Sequence, residues 1–300
     1  MADHNWFTLR LSLAIVLALF VALAAGGSPA SAANITVNTT DDELNADNDC
    51  SLREAITAAN TDAAVDACTA GSGPDTIDLP AGTYTLSIAG NDEDAAATGD
   101  LDITDDLTLA GADAATTTVD AAGLDRVFDV MGSITVEIRQ ITVTGGVAGP
   151  STSRNGGGIQ NSDATLTVEY VVITGNATGN FNGASGGGLV NVDSGVVTIN
   201  SSTIDNNTAP NLNNTGAGVA NTESGVMTIN DSTISDNTAL QDGGGVHNAN
   251  VGFLTINNSV ISGNEGRFGG GFSHGNGATA IINDSTITGN LAIDGGGVEN

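Results

Sequence analysis

A glycine triplet recurs through the second half of the chain, and its period excludes most folds. It stands at Gly156-Gly157-Gly158, Gly186-Gly187-Gly188, Gly243-Gly244-Gly245, Gly269-Gly270-Gly271 and Gly295-Gly296-Gly297, with Gly216-Ala217-Gly218 as a variant. Successive copies start 30, 30, 27, 26 and 26 residues apart. Regular periods of roughly 20–50 residues mark solenoids, propellers and arrays. Propeller blades need about 40–50 residues for their four strands, so these units are too short. A β-sandwich would not repeat its sequence at all.

Three apolar pieces keep station inside each unit. One apolar residue follows the glycines: Ile159, Leu189, Val219, Val246, Phe272 and Val298. A second piece alternates with period two: Leu166 and Val168, Val197 and Ile199, Met227 and Ile229, Leu254 and Ile256, Ala280 and Ile282. The third contributes Ile173, Ile204, Ile234, Ile261 and Ile287, each followed three residues later by Asn176, Asn207, Asn237, Asn264 or Asn290. A spacing of two with β-branched residues reads as strands, not helix. So short a unit cannot bury its one apolar face alone. Stacked as coils, each strand pairs in parallel with its counterparts above and below. Parallel crossovers are right-handed. The expected fold is all-β: a right-handed, single-stranded parallel β-helix in which Ile204, Ile234, Ile261 and Ile287 share one inner column.

The glycines supply tight corners and close approach between coils. After them runs a second asparagine column, Asn161, Asn191, Asn221, Asn248 and Asn300. Stacked amides there either hydrogen-bond along the axis or serve as turn residues tolerating a left-handed backbone.

A narrow, regularly stacked core also explains 41 glycines and an aromatic content of only 3%. Six arginines and no lysine face 35 acidic residues, for a net charge of −29. Such a surface repels nucleic acid and anionic lipid, and neither is expected as a partner.

The first 32 residues read as a signal peptide. Arg10 gives positive charge, Leu11 to Ala25 an apolar run, and Ala30-Ser31-Ala32 a small-residue cleavage site. The run is shorter than the roughly 20 residues of a membrane span, and no segment of 33–300 is apolar enough to cross. The mature chain is therefore expected outside the cytoplasm, where Cys50 and Cys68 can pair. Residues 33–73 are expected to cap the coil stack. Ile35-Thr36-Val37 reads as a strand, and Ser51 with Glu54 forms a capping box opening a helix from about residue 52 to 60 with Leu52, Ala55, Ile56 and Ala59 on one face. Residues 74–155 carry less regular strands, expected at 76–79, 84–86, 101–103, 107–109, 128–130 and 134–143, with a loop at 91–98. Residues 156–300 are the glycine-rich repeats, broken off in the sixth; more coils and an anchor are expected beyond Asn300.

The string Cys50-Ser51-Leu52-Arg53-Glu54-Ala55-Ile56, with Ala59-Asn60, resembles the signature of the CSLREA-domain proteins. Asp75-Thr76-Ile77 to Leu79-Pro80-Ala81-Gly82-Thr83-Tyr84 resembles the segment that follows it. The glycine-rich units are similar to the repeats of polymorphic outer membrane proteins, with isoleucine in place of phenylalanine in the second element, as in Ile261-Ser262-Gly263-Asn264. These resemblances imply an exported, pectin-lyase-like right-handed β-helix at the envelope or cell surface, in many members without a defined activity.

No catalytic constellation is evident. A lyase acting on uronates needs a basic residue as proton acceptor, and within the repeats only Arg154, Arg267, His247 and His274 are candidates. Register places His247 outward as an isolated surface residue and His274 in the slot of Asn248 one coil earlier. Asp205 and Asp236 stack near a turn, where aspartate commonly shapes the backbone. Acidic residues crowd the cap loop (Asp41, Asp42, Glu43, Asp47, Asp49) and the first coils (Asp92, Glu93, Asp94, Asp100, Asp102, Asp105, Asp106). Oxygen-rich loops suit Ca²⁺, the candidates being Asp47, Asp49, Asp92 and Asp94, although no EF-hand or nonapeptide spacing is present. The leading reading is a non-catalytic, adhesin-like surface stalk or binding module with glycans or other cell-surface components as partners and no required cofactor. The alternative is a carbohydrate-active enzyme, lyase or hydrolase, on the same scaffold.

Overall fold

Each repeat is a coil whose three main strands join three different sheets; two coils add a fourth short strand, Thr208–Ala209 paired with Thr238–Ala239. The computed structural model describes residues 31–91, 93–149, 155–179, 183–275 and 277–300. Sheet 1 has nine parallel strands, from Asn34–Thr36 to Thr279–Asn283. Sheet 2 has eight, from Gly82–Thr85 to Thr286–Thr288, and sheet 3 has eight, from Leu101–Ile103 to Val298–Glu299. Among the described residues the fold is a parallel β-helix with one short helix. The signal peptide expected from Arg10 and its apolar run lies outside the described residues. Among the described residues no helix is long and apolar enough to cross a membrane.

Register follows the repeat residue for residue. Ile204 pairs with Ile234, Ile234 with Ile261, and Ile261 with Ile287. The first three are fully buried. Burying one such side chain is worth about 1.5–3 kcal/mol, so the column supplies a continuous apolar spine. The glycines permit the stacking: a Cβ on Gly188 would lie 2.6 Å from the Gly218 carbonyl oxygen of the next coil.

Buried asparagines inside the coils hydrogen-bond to their own copies on neighbouring coils. Asn161 Nδ2 donates to Asn191 Oδ1, Asn191 to Asn221, and Asn221 to Asn248, each at 2.9 Å. A second ladder runs from Asn176 through Asn207, Asn237 and Asn264 to Asn290. Each of these amides also donates to a backbone carbonyl, as Asn237 does to Ile204 at 3.0 Å. A third ladder, Asn200, Asn230, Asn257 and Asn283, runs along the half-buried to exposed outer face of sheet 1.

The first coil is covered by the helix α1, Leu52–Thr61, which packs on the strands Asp75–Leu79 and Leu101–Ile103. Its start is the capping box: Ser51 Oγ accepts from Glu54 N at 3.2 Å, and Glu54 Oε2 accepts from Ser51 N at 3.0 Å. Leu52, Ala55, Ile56 and Ala59 are all buried. Cys50 and Cys68 form a disulfide with Cα atoms 4.9 Å apart. Two differences from the sequence expectation are local. Thr117–Asp120 is a further strand, and the run 134–143 divides into Thr135–Arg139 and Thr142–Thr144 because Gln140 turns a corner at φ 57°.

Candidate functional site

Sheet 3 carries a side-chain column that points away from the core and is nonetheless buried. Asp102, Asp129, Gln160, Val190, Ala220, His247 and Ser273 stand in register on successive coils. All are below a tenth exposed. In the repeats the chain folds back over this column as it enters each glycine triplet. A Cβ on Gly186 would meet Val190, one on Gly216 would meet Ala220, and one on Gly243 would meet His247. Gly186 takes φ 71°, which only glycine adopts without strain.

At the helix-capped end the column becomes charged. Asp102 Oδ2 accepts from Ala96 N at 2.7 Å. Arg126 Nε binds Asp100, and its Nη2 lies 3.4 Å from Asp129 Oδ2. Gln160 Nε2 donates to both oxygens of Asp129 at 3.1 Å. One oxygen from each of Asp100, Asp102 and Asp129 falls within 4.8 Å of the others, and all three residues are under 5% exposed. Asp102 Oδ1 is buried without a hydrogen-bond partner. Burial pushes Asp102 up to about 8, helped by the charge of Asp100. It pushes Asp100 up to about 7 against the pull of Arg126.

The cap holds this cluster from the other side. All five guanidinium donors of the fully buried Arg53 are used: Nε and Nη2 on Asp42 at 2.6 and 3.3 Å, and Nη1 and Nη2 on the carbonyls of Ala96, Gly99 and Asp100 at 2.9–3.1 Å. The Arg53 fork therefore fixes the loop that presents Asp100 and Asp102.

From Gln160 a polar groove of about 440 Å³ opens along the strand ends of sheet 3. Asn155, Ser162, Ser185, Asp193, Thr222, Glu223 and Asn250 line it, with Val192 and Gly183. Asn155 Oδ1 accepts from Ser185 N at 2.8 Å, which ties the groove wall to the neighbouring coil.

Several residues singled out from sequence stand elsewhere. His247 is not an isolated surface residue. It is 7% exposed, because the turn at Gly243 covers it. Burial and the charge of His274 push its pKa down to about 4. His274 does occupy the column of Asn248, and its ring lies 5.8 Å from that of Phe272. Asp205 pairs with Ser235, not with Asp236. Asp236 belongs one position later, with Asn206, Gly263 and Gly289, all at positive φ, so both aspartates serve turns and do not form a pair. Arg267 covers the Phe268 ring at 5.0 Å, far along the stack from Asp102 and Asp129. Arg154 and Asp92 lie outside the described residues. Asp94 is exposed. Asp47 and Asp49 do come together with Glu43 within 4.8 Å, and Asp49 also with Glu54 and Asp66. Asp66 Oδ2 collects the backbone N–H groups of Asp47, Asn48 and Asp49 at 2.8–3.1 Å.

Of the buried trio, Asp100 and Asp102 belong to the acidic patch noted in the sequence, and Asp129 was missed because it carries no motif. Its signal was positional: Asp102, Asp129 and Gln160 each follow the inward residue of a sheet 3 strand, the station that later repeats fill with Val190 and Ala220.

No family model matches the chain, and no curated protein matches it. Among solved structures, the A-module of the mannuronan C-5 epimerase AlgE4 from Azotobacter vinelandii is similar over 75% of this chain and 88% of that one, at 15% identity and a TM-score of 0.23.

Proposed function

We propose that the protein is an exported, non-catalytic β-helical surface protein that binds glycan chains in the groove beside sheet 3. The observation that carries this reading is the groove's lining. Asn155, Gln160 and Ser162 from one coil, Ser185 from the next, and Thr222 and Asn250 from the two after it line the groove together, a set of amides and hydroxyls that a linear, hydroxyl-rich chain can follow across coils. Stacked strands about 4.8 Å apart give a rigid ruler for such a chain. The buried asparagines of the repeats are occupied by the internal ladders, which suits a rigid spacer held away from an envelope. Asp193 and Glu223 in the lining favour neutral or amino sugars over uronates.

Titration calorimetry of the mature chain against neutral, amino-sugar and uronate polysaccharides tests this. Binding of a neutral or amino-sugar chain that Ser162→Trp abolishes is the expected result. No binding to any class removes the reading. New reducing ends or unsaturated products would assign the groove to a carbohydrate-active enzyme instead.

A further inference from the structure

We infer that Asp100, Asp102 and Asp129 form a structural binding site for one Ca²⁺ ion between the first coils of the β-helix and the loop held by Arg53. The inference does not depend on the groove. Three independent features converge on it. First, the three carboxylates approach within 4.8 Å of one another from two adjacent coils, each under 5% exposed. Against them Arg126 supplies one positive charge through Asp100 and Asp129.

Second, the oxygens differ in what they already do. Gln160 and Arg126 occupy Asp129, Arg126 occupies Asp100, and Ala96 N occupies one oxygen of Asp102. The other, Asp102 Oδ1, is buried and receives no hydrogen bond. A carboxylate oxygen shut away from water without a donor carries an uncompensated desolvation cost. A cation removes that cost.

Third, the supporting shell is built. Arg53 fixes the carbonyls of Ala96, Gly99 and Asp100, so the loop carrying two of the three carboxylates is held before any ion arrives. Ion ligands that are themselves hydrogen-bonded are oriented in this way. A buried site of protein oxygens suits Ca²⁺, which accepts many protein ligands, better than Mg²⁺, which keeps several of its waters. The cap-loop group of Glu43, Asp47 and Asp49 is the competitor. Asp47 is exposed there, and the group is the control.

The test uses the mature chain dialysed against EDTA, with CaCl2 then added. Calorimetry gives stoichiometry, and the melting temperature is read with and without Ca²⁺ at pH 8. The expected result is one equivalent of Ca²⁺, a melting temperature raised by several degrees, and at least a tenfold loss of affinity in Asp102→Asn and in Asp129→Asn. Asp49→Asn should retain both binding and the thermal shift. Asp102→Asn keeps the test open if Asp129→Asn does not fold, because among the described residues no ion pair to Asp102 is broken by it. Absence of Ca²⁺ binding overturns the inference. So does binding that survives Asp102→Asn and is lost in Asp49→Asn, which would place the ion on the cap loop.

Discussion

Asp129 stands directly beside Asp102 in the parallel register of sheet 3, carboxylate next to carboxylate, on a face that points out of the core and is still closed to water. In the absence of bound metal, burial raises Asp102 to about 8 and Asp100 to about 7, whereas both groups release their protons near 4 in the unfolded chain. Between these limits the folded state binds protons that the unfolded state does not. Stability is therefore greatest below about pH 4 with respect to these groups and falls as pH rises towards 8. The slope for one such proton approaches about 1.4 kcal/mol per pH unit. Urea denaturation in EDTA at pH 5, 6, 7 and 8 should show the decline, and Asp102→Asn should remove much of it. A variant with an unchanged slope would mean that Asp102 is ionised throughout.

The Arg53 fork makes a second prediction. Lysine offers a point charge and three donors where Arg53 uses five in fixed directions. Arg53→Lys should lower the urea midpoint clearly, and Arg53→Ala should cost about 3–5 kcal/mol by leaving three buried carbonyls without their guanidinium donor and Asp42 with only the backbone N–H groups of Ser87 and Ile88. Hydrogen exchange should locate the loss in residues 42–100 and leave the later coils protected. Uniform loss along the whole chain would show that the cap and the coils unfold together.

The asparagine ladders separate buried from exposed cost. Asn221 is fully buried; it accepts from Asn191 and donates to Asn248. Asn221→Ala orphans both and should cost about 1–3 kcal/mol. Asn257 makes the same kind of bond on the outer ladder, where water replaces it, so Asn257→Ala should cost less than about 1 kcal/mol. Equal losses from the two, compared by thermal denaturation, would refute the ladder account.

The repeat was legible because spacing fixes register: once Ile204, Ile234 and Ile261 recur at one station, parallel stacking places them side by side. The helix start was legible too, since Ser51 and Glu54 encode their own hydrogen bonds. What alternation could not reveal is the turn that folds back over sheet 3. A period of two assigns Asp129 and His247 to the outside, and the burial of both comes from chain outside their own strands. Val190 and Ala220 in that outward column were the available clue, being small and apolar where a solvated face would carry polar residues. The ladder of Asn200, Asn230 and Asn257 escaped notice because asparagine at a strand end already has a sufficient explanation as a turn residue. Arg126 escaped because its partners, Asp100 and Asp129, lie on different coils.

His247 carries the last prediction, and its sign opposes that of Asp102. Burial first, and the charge of His274 second, hold its folded pKa at about 4, against about 6.5 in the unfolded chain. The neutral ring is favoured in the fold. Its contribution is fully present above about pH 6.5 and is lost as pH falls through 4, amounting to about 3 kcal/mol over that interval. Carboxylates titrate in the same window, so the wild-type curve alone does not isolate the histidine. His247→Ala does, because Ala220 already fills the same column one coil earlier. The difference in unfolding free energy between wild type and His247→Ala should shrink as pH is lowered from 7 to 4. Parallel curves would mean that His247 becomes charged inside the fold at ordinary cost, and that the turn at Gly243 does not keep water from it.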